Sequence, residues 1–215
     1  MASLFAATNA HAQLVYLGSQ DFGGTGLGAV NTVLTIQNNG TEAGSVGLDN
    51  LGNQIITGDA KTGASQTQVR SLGSLGIHTA SDLRVIFNAN EPGTNDGNGI
   101  NLSDLVLSIF SPTGSLLFES GAFSPVSFAD TLNGTGNAGF VFGLDNTQAA
   151  LAQAGAFSGN YSVNLVGLSA VASQAAGGPE TFFITNASVV PEPSTYSMLA
   201  LGLLGIGFLR RRNFI

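Results

Sequence analysis

Apolar and polar residues alternate along several short stretches of the chain, a pattern typical of β-strands with one buried face. In one stretch near the start, Val30, Leu34 and Ile36 share a face. Thr35 and Gln37 lie on the opposite face of the same stretch. The alternation predicts a strand whose first face packs on a core and whose second face meets solvent.

Turn-forming residues separate these stretches. Asn-Asn-Gly at residues 38–40 ends the first stretch, and Ser-Pro-Thr-Gly at residues 111–114 joins two apolar runs at 105–110 and 115–118. Two runs joined by so short a turn predict a hairpin. A compact apolar run at 83–87 predicts another strand. Further strands are predicted at residues 14–17, 67–72, 123–128, 139–142, 161–168 and 181–189.

The spacing of the turns indicates the fold class. Turn signals recur about every eight to twelve residues, which is typical of a sandwich or barrel and not of alternating strands and helices. One short helix is predicted at residues 147–154, with Asp145 or Asn146 as its N-cap. The chain shows no internal repeat and no proline-rich linker in its body. We therefore predict one all-β domain at residues 13–188, an antiparallel, jelly-roll-like β-sandwich.

The C-terminal part departs from this pattern. Residues 189–195 contain two prolines and are predicted to be an extended processing segment, residues 196–209 are apolar, and residues 210–215 form a basic tail. As a helix, the apolar run would reach about 21 Å at 1.5 Å per residue, against roughly 30 Å for the hydrocarbon core of a bilayer. Snorkelling arginines and local thinning of the bilayer can close that gap. We predict a hydrophobic helix that acts as a transient membrane tether.

Charge orients the tail and limits the partners of the body. Arg210, Arg211 and Arg212 are half of the six basic residues, and basic residues beside a membrane segment stay in the cytoplasm. The basic tail should thus be cytoplasmic and the body outside. Of the thirteen acids, only Glu192 lies in the tail, so twelve acids face three basic residues in the body. Such a body repels nucleic acid, which leaves neutral glycans, cations or proteins as partners.

The N-terminus has the pattern of a secretory signal. Residues 1–12 end in Ala10-His11-Ala12, which fits the small-x-small cleavage site of a signal peptide. A basic n-region is missing and the apolar stretch is short, so we interpret this segment as the back half of a signal peptide. Cleavage after Ala12 would make Gln13 the first mature residue.

The three parts of the C-terminal tail occur in an order that resembles a known sorting signal. Pro191-Glu192-Pro193, then the apolar run, then three arginines, resembles the PEP-CTERM sorting signal of Gram-negative bacteria. The two prolines keep this tripeptide extended and unable to join a sheet or the following helix. The segment at residues 88–93, Asn-Ala-Asn-Glu-Pro-Gly, also resembles a segment that recurs in the bodies of such proteins.

The resemblance implies a route and a partner. Proteins with this signal are similar to substrates of exosortase, a membrane-embedded cysteine peptidase that acts like a sortase. It implies recognition at the Pro-Glu-Pro tripeptide, removal of the tail, and export of the body to the cell surface or to an exopolysaccharide matrix. The precursor would be tethered in the inner membrane before it is released.

A loop between two predicted strands could hold a cation. Residues 88–104 concentrate carboxylate and amide oxygens, the groups that calcium prefers. Glu91, Asp96, Asn98 and Asp104 are the candidate ligands. Their spacing matches neither an EF-hand loop nor the glycine-aspartate nonapeptide repeat. The alternative is a connector whose Asn, Asp and Gly residues serve only the turn geometry.

The sequence offers little for catalysis. It contains no cysteine and only two histidines, of which His78 alone lies in the predicted mature body. No serine stands in a nucleophile elbow, and the absence of tryptophan leaves few platforms for sugar rings. We therefore predict a structural or interaction protein of the cell surface or matrix, not an enzyme. The alternatives are a calcium- or glycan-binding module and, least favoured, a hydrolase with two carboxylates.

Calorimetric titration with calcium separates the two interpretations of the loop. A calcium site gives heat on titration, and EDTA then lowers the melting temperature, because ligand lost from the folded state no longer stabilises it. A connector gives neither heat nor a shift.

Overall fold

The computed structural model of the chain describes residues 13–20, 30–63, 65–89, 99–128, 139–176 and 178–187. One α-helix lies within these ranges, α1 at Asn146–Ala156, with 3-10 turns at Ala80–Asp82 and Tyr161–Val163. The strands in the same ranges are β1 Leu14–Gln20, β2 Thr32–Ile36, β3 Asn39–Leu48, β4 Gln54–Gly58, β5 Arg70–Ser71, β6 Leu83–Asn88, β7 Ile100–Phe110, β8 Leu116–Glu119, β9 Val126–Phe128, β10 Gly139–Leu144, β11 Leu165–Ala176 and β12 Glu180–Asn186.

The strands form two antiparallel sheets. One sheet has five strands in the order β1-β10-β6-β12-β2. The other has seven, in the order β4-β3-β11-β7-β8, with β5 beside β11 and β9 beside β7. The prediction of an all-β antiparallel sandwich with one short helix is confirmed. The predicted C-terminal helix at residues 196–209 lies outside the described residues.

Stacked phenylalanines join the inner faces of the sheets. Phe128 of the seven-stranded sheet stacks on Phe140 of the five-stranded sheet, with ring centroids 3.8 Å apart. Phe87 lies 5.9 Å from Phe128 and stacks at 4.8 Å on Phe182 of the neighbouring strand. The core residues next to these rings lie two positions away in their strands, as Phe142 does from Phe140 and Ile184 from Phe182, because alternate side chains point to one face. The aromatic core thus follows from the alternation in the sequence.

The five-stranded sheet is buried on its outer face as well. Ile86, Val141 and Phe183 point away from the aromatic core and pack with Val30 in a second apolar cluster. The predicted faces of residues 30–37 are therefore wrong at two positions, since Val30 packs in this outer cluster and not with Leu34 and Ile36, and Thr35 is fully buried. The crossing segment at residues 66–67 explains the burial, since the Thr35 hydroxyl donates to the Gln66 carbonyl at 3.0 Å.

Several predicted elements differ in extent. Strands β3 and β4 were not predicted, because β3 is interrupted by glycines that read as turns. Gly44 is required there, since a Cβ at this position would lie 2.6 Å from Ile36 Cγ2. The strand predicted at residues 67–72 is reduced to β5. The strand predicted at 161–168 begins as a 3-10 turn, and Asn164 turns its amide to the Ala156 carbonyl at the end of α1.

The helix is capped as predicted. The Asp145 side chain accepts a hydrogen bond from the Gln148 N–H at 2.8 Å, so Asp145 and not Asn146 is the N-cap. A carboxylate here satisfies an otherwise unpaired N–H and favours the positive end of the helix dipole.

Replacing Phe87 with Ala should lower the free energy of unfolding by about 3–5 kcal/mol, because it removes a fully buried ring and leaves a cavity between the sheets. A urea titration of the full chain in mild detergent measures this loss. Leu51→Ala is the control, since Leu51 is 82% exposed and its loss should cost within about 0.5 kcal/mol. An equal effect of both variants would contradict the assignment of Phe87 to the centre of the core.

Candidate functional site

The strand register gives the sandwich two distinct ends. Gln20, Gly139, Asn88 and Thr181 follow one another across the five-stranded sheet at one end, which we call the far end. Leu14 and Asn186 lie at the opposite end of the same sheet, which we call the exit end. Three strand spacings separate β1 from β12, about 14 Å. The described chain therefore begins and ends on the same side of the molecule.

At the exit end, hydrogen bonds hold the end of β12 a few residues before the predicted processing segment. The Asn186 side-chain amide donates to the Gly76 carbonyl at 2.9 Å, and β12 is paired with both β6 and β2. Five residues of chain separate Asn186 from Pro191, a reach of at most about 18 Å. A peptidase that acts at that tripeptide must therefore approach the exit end. The remaining predicted signal residues Glu192, Pro193, Arg210, Arg211 and Arg212 also lie outside the described residues.

Gln13 is held at the exit end by three hydrogen bonds. Its N–H donates to Asp145 Oδ2 at 2.8 Å, its carbonyl accepts from the Asp145 N–H at 3.3 Å, and its side-chain oxygen accepts from Ser124 Oγ at 2.9 Å. The predicted signal segment, residues 1–12, lies outside the described residues. If cleavage follows Ala12, the new α-amino group of Gln13 meets a carboxylate that is already in place.

The structure describes one of the four candidate calcium ligands. Glu91, Asp96 and Asn98 lie outside the described residues. Asp104 is part of β7, on the outer face opposite Val171, and not in a loop as predicted. The connection is thus shorter than the predicted 88–104, because both flanking strands extend into it. In the part of the chain that the structure describes, no three His, Cys, Asp or Glu side chains are grouped to hold a metal.

Two carboxylates that sequence analysis did not single out are buried near the far end. Glu42 and Glu180 are both fully buried, and each shares its face with core residues of its own strand, Val46 and Phe182. Glu42 accepts a hydrogen bond from the Asn38 N–H at 2.9 Å. The sequence could have indicated the burial of Glu180, because this residue is two positions before Phe182 and residues two apart in a strand point to the same face.

The body presents few cations to a ligand. Arg70 donates from Nε to the Thr32 carbonyl at 2.8 Å, and Arg84 donates to the Ser81 and Leu83 carbonyls at 2.7 and 2.9 Å. Burial lowers the pKa of both arginines, and Asp82 opposes the effect at Arg84. Both guanidinium groups stay charged, but they are engaged by backbone oxygens. Lys61 is the third basic residue of the body and is exposed.

His78 is engaged in a structural contact. Its Nδ1 lies 3.3 Å from the Tyr161 hydroxyl, and this contact joins the turn after β5 to the 3-10 turn before β11.

Across the described ranges, no helix is both long and apolar enough to cross a bilayer.

Comparison with known proteins identifies the C-terminal segment. Residues 189–212 match a family model described as the PEP-CTERM protein-sorting motif, which confirms the resemblance seen in the sequence. No curated protein and no solved structure is significantly similar to the chain. Because such signals are processed by exosortase, a membrane protein, the chain carries the signal of an exported protein that is processed at the membrane.

A chain that begins at Gln13 should be about 0.5–1 kcal/mol more stable to urea than one that keeps residues 1–12, because its charged α-amino group pairs with the partly exposed Asp145. Asp145→Asn should remove this difference between the two chains, although it weakens both. The four unfolding free energies form a double-mutant cycle. A difference that persists in the Asp145→Asn pair would contradict the proposed ion pair.

Proposed function

We propose that the chain is a structural or interaction protein of the bacterial cell surface or extracellular matrix, without enzymatic activity. The observation that carries this proposal is the PEP-CTERM motif at residues 189–212, which directs an exported protein to exosortase. The precursor is tethered in the inner membrane with Arg210, Arg211 and Arg212 in the cytoplasm. Cleavage near Pro191-Glu192-Pro193 then releases the body to the surface or the medium.

The position of the chain ends supports this route. Gln13 and Asn186 lie at the exit end, so signal-peptide cleavage and tail cleavage would both take place on the side that faces the membrane. The far end and the outer face of the seven-stranded sheet point elsewhere and stay open to partners while the tether is intact. An interaction protein benefits from this separation, because its binding surfaces do not compete with the peptidase.

The acidity of the body supports partners other than nucleic acid. Twelve acids oppose three basic residues, of which two are engaged by backbone carbonyls. Polyanions gain nothing from such a surface, and anionic lipid is repelled. Neutral matrix polysaccharides and matrix proteins remain as partners. Calcium binding by the segment with Glu91, Asp96 and Asn98 stays a prediction.

Replacing Glu192 with Ala should leave a full-length precursor in the inner-membrane fraction, because the tripeptide loses its charged recognition element. Ser194→Ala is the matched control, since it changes a small polar residue just outside the tripeptide and should be released normally. Fractionation followed by immunoblotting measures both. Normal release of the Glu192→Ala variant would contradict recognition at this tripeptide.

A further inference from the structure

A groove crosses the outer face of the seven-stranded sheet. It has a volume of about 340 Å³ and is lined by residues of β3, β11, β7 and β8. Ser169 lies opposite Ser45 on one side and Val106 on the other. In the next row, Ser108 lies between Gly167 and Glu119. Small hydroxyl residues and glycine thus form the floor, in contrast to the apolar residues of the inner face.

An aromatic ring lies over part of this floor. A Cβ placed on Gly47 would lie 3.3 Å from Phe110 Cζ, and one placed on Gly167 would lie 3.2 Å from Phe110 Cε2. The partly buried ring of Phe110 therefore leans from β7 across two glycines of the neighbouring strands. A Cβ at Gly47 would shift the ring by a few tenths of an ångström, and one at Gly167 would also meet the Val46 carbonyl oxygen. The two glycines leave the space in which the ring lies close to the sheet surface.

Polar groups surround the ring at fixed positions. Ser108 Oγ donates to Glu119 Oε2 at 3.4 Å, and Ser45 Oγ lies 2.7 Å from Thr57 Oγ1. The Glu119 carboxylate retains acceptor capacity, since a carboxylate has about four lone-pair sites. It is the one charged side chain among the lining residues. The groove therefore combines an apolar platform, hydroxyl groups and a strong acceptor.

This combination selects an uncharged polyhydroxyl ligand. The C–H faces of a sugar ring pack on an aromatic ring, while its hydroxyls donate to a carboxylate and exchange hydrogen bonds with serines. An anionic ligand would meet Glu119 without a compensating cation. An apolar peptide would leave the serine hydroxyls and Glu119 without their hydrogen bonds to water, which is costly. Neutral sugars avoid both costs.

We propose that this groove binds a neutral glycan, with one sugar ring on Phe110 and hydroxyls of this and the neighbouring sugars on Ser108, Ser45 and Glu119. The assignment rests on the proposed function, because polysaccharide is a partner that the matrix supplies. The volume lies at the lower end of the 300–1,000 Å³ typical of ligand sites. The groove therefore takes a short stretch of chain, and affinity for a long polysaccharide arises from repeated engagement.

The test uses the full chain in a polyoxyethylene detergent, which carries no sugar. Native gels are cast with soluble glucan, mannan or xylan, with anionic alginate, or with no polysaccharide. We expect at least one neutral polysaccharide to slow the protein, and alginate not to. Phe110→Ala should weaken the binding about tenfold by removing the platform, and Gly47→Ala should weaken it by a smaller factor because its Cβ shifts the ring. Glu119→Gln should weaken it less.

Controls keep the result specific to the groove. Leu51→Ala removes an exposed apolar side chain elsewhere, and Asp82→Asn removes a charge elsewhere, so both should bind as the unchanged chain does. Gly47→Ala retains every side chain and places its Cβ only against the ring, which guards against an unfolded Phe110→Ala variant.

The absence of retardation by every neutral polysaccharide, or retardation of Phe110→Ala equal to that of the unchanged chain, would overturn the assignment. The location is tested separately. If the chain is processed normally but does not bind neutral glycans, only the assignment of the groove is overturned. A chain that binds glycans but stays full-length in the cytosol overturns the proposed export and leaves the groove intact.

Discussion

The packing of phenylalanines between the sheets is the constraint on which the rest of the structure depends. Phe128 stacks on Phe140 across the interface, and Phe87 contacts both sheets through Phe128 and Phe182. This contact fixes which face of each sheet is internal. The other faces then differ: that of the five-stranded sheet is covered at Val30, Ile86, Val141 and Phe183, whereas that of the seven-stranded sheet carries serines, glycines and Phe110. One outer face forms a second apolar cluster, and the other carries the groove that we propose as a binding site.

The same packing brings the two ends of the described chain to one end of the sandwich. Because β1 and β12 run in opposite directions, the chain enters and leaves the sandwich at the exit end. The sorting signal follows within a few residues of Asn186, which is held by Gly76. The groove lies on the outer face of the seven-stranded sheet, on the side of the body. The proposed binding surface is thus a face of the sandwich, whereas the sorting signal follows one of its ends.

Local signals were predictable from the sequence, and long-range ones were not. The sorting signal, the hairpin around residues 111–114 and the Asp145 cap are encoded in consecutive residues, so they could be read directly. Strand β3 was not predicted because its glycines are typical of turns. Only the structure shows that Ile36 occupies the space where a side chain at Gly44 would lie. The burial of Glu42 and the groove depend on strands far apart in sequence. Ser45, Ser108 and Ser169 are unremarkable alone and meet only through the register.

The central claim is that the chain is exported and loses its C-terminal tail at the membrane. The most direct test is the intact mass of the protein recovered from the culture medium of its host. We expect the mass of a chain that ends near Pro191-Glu192-Pro193 and lacks the apolar run and the three arginines. Recovery of the full-length chain from the cytosol, with none in the medium or the envelope, would contradict it.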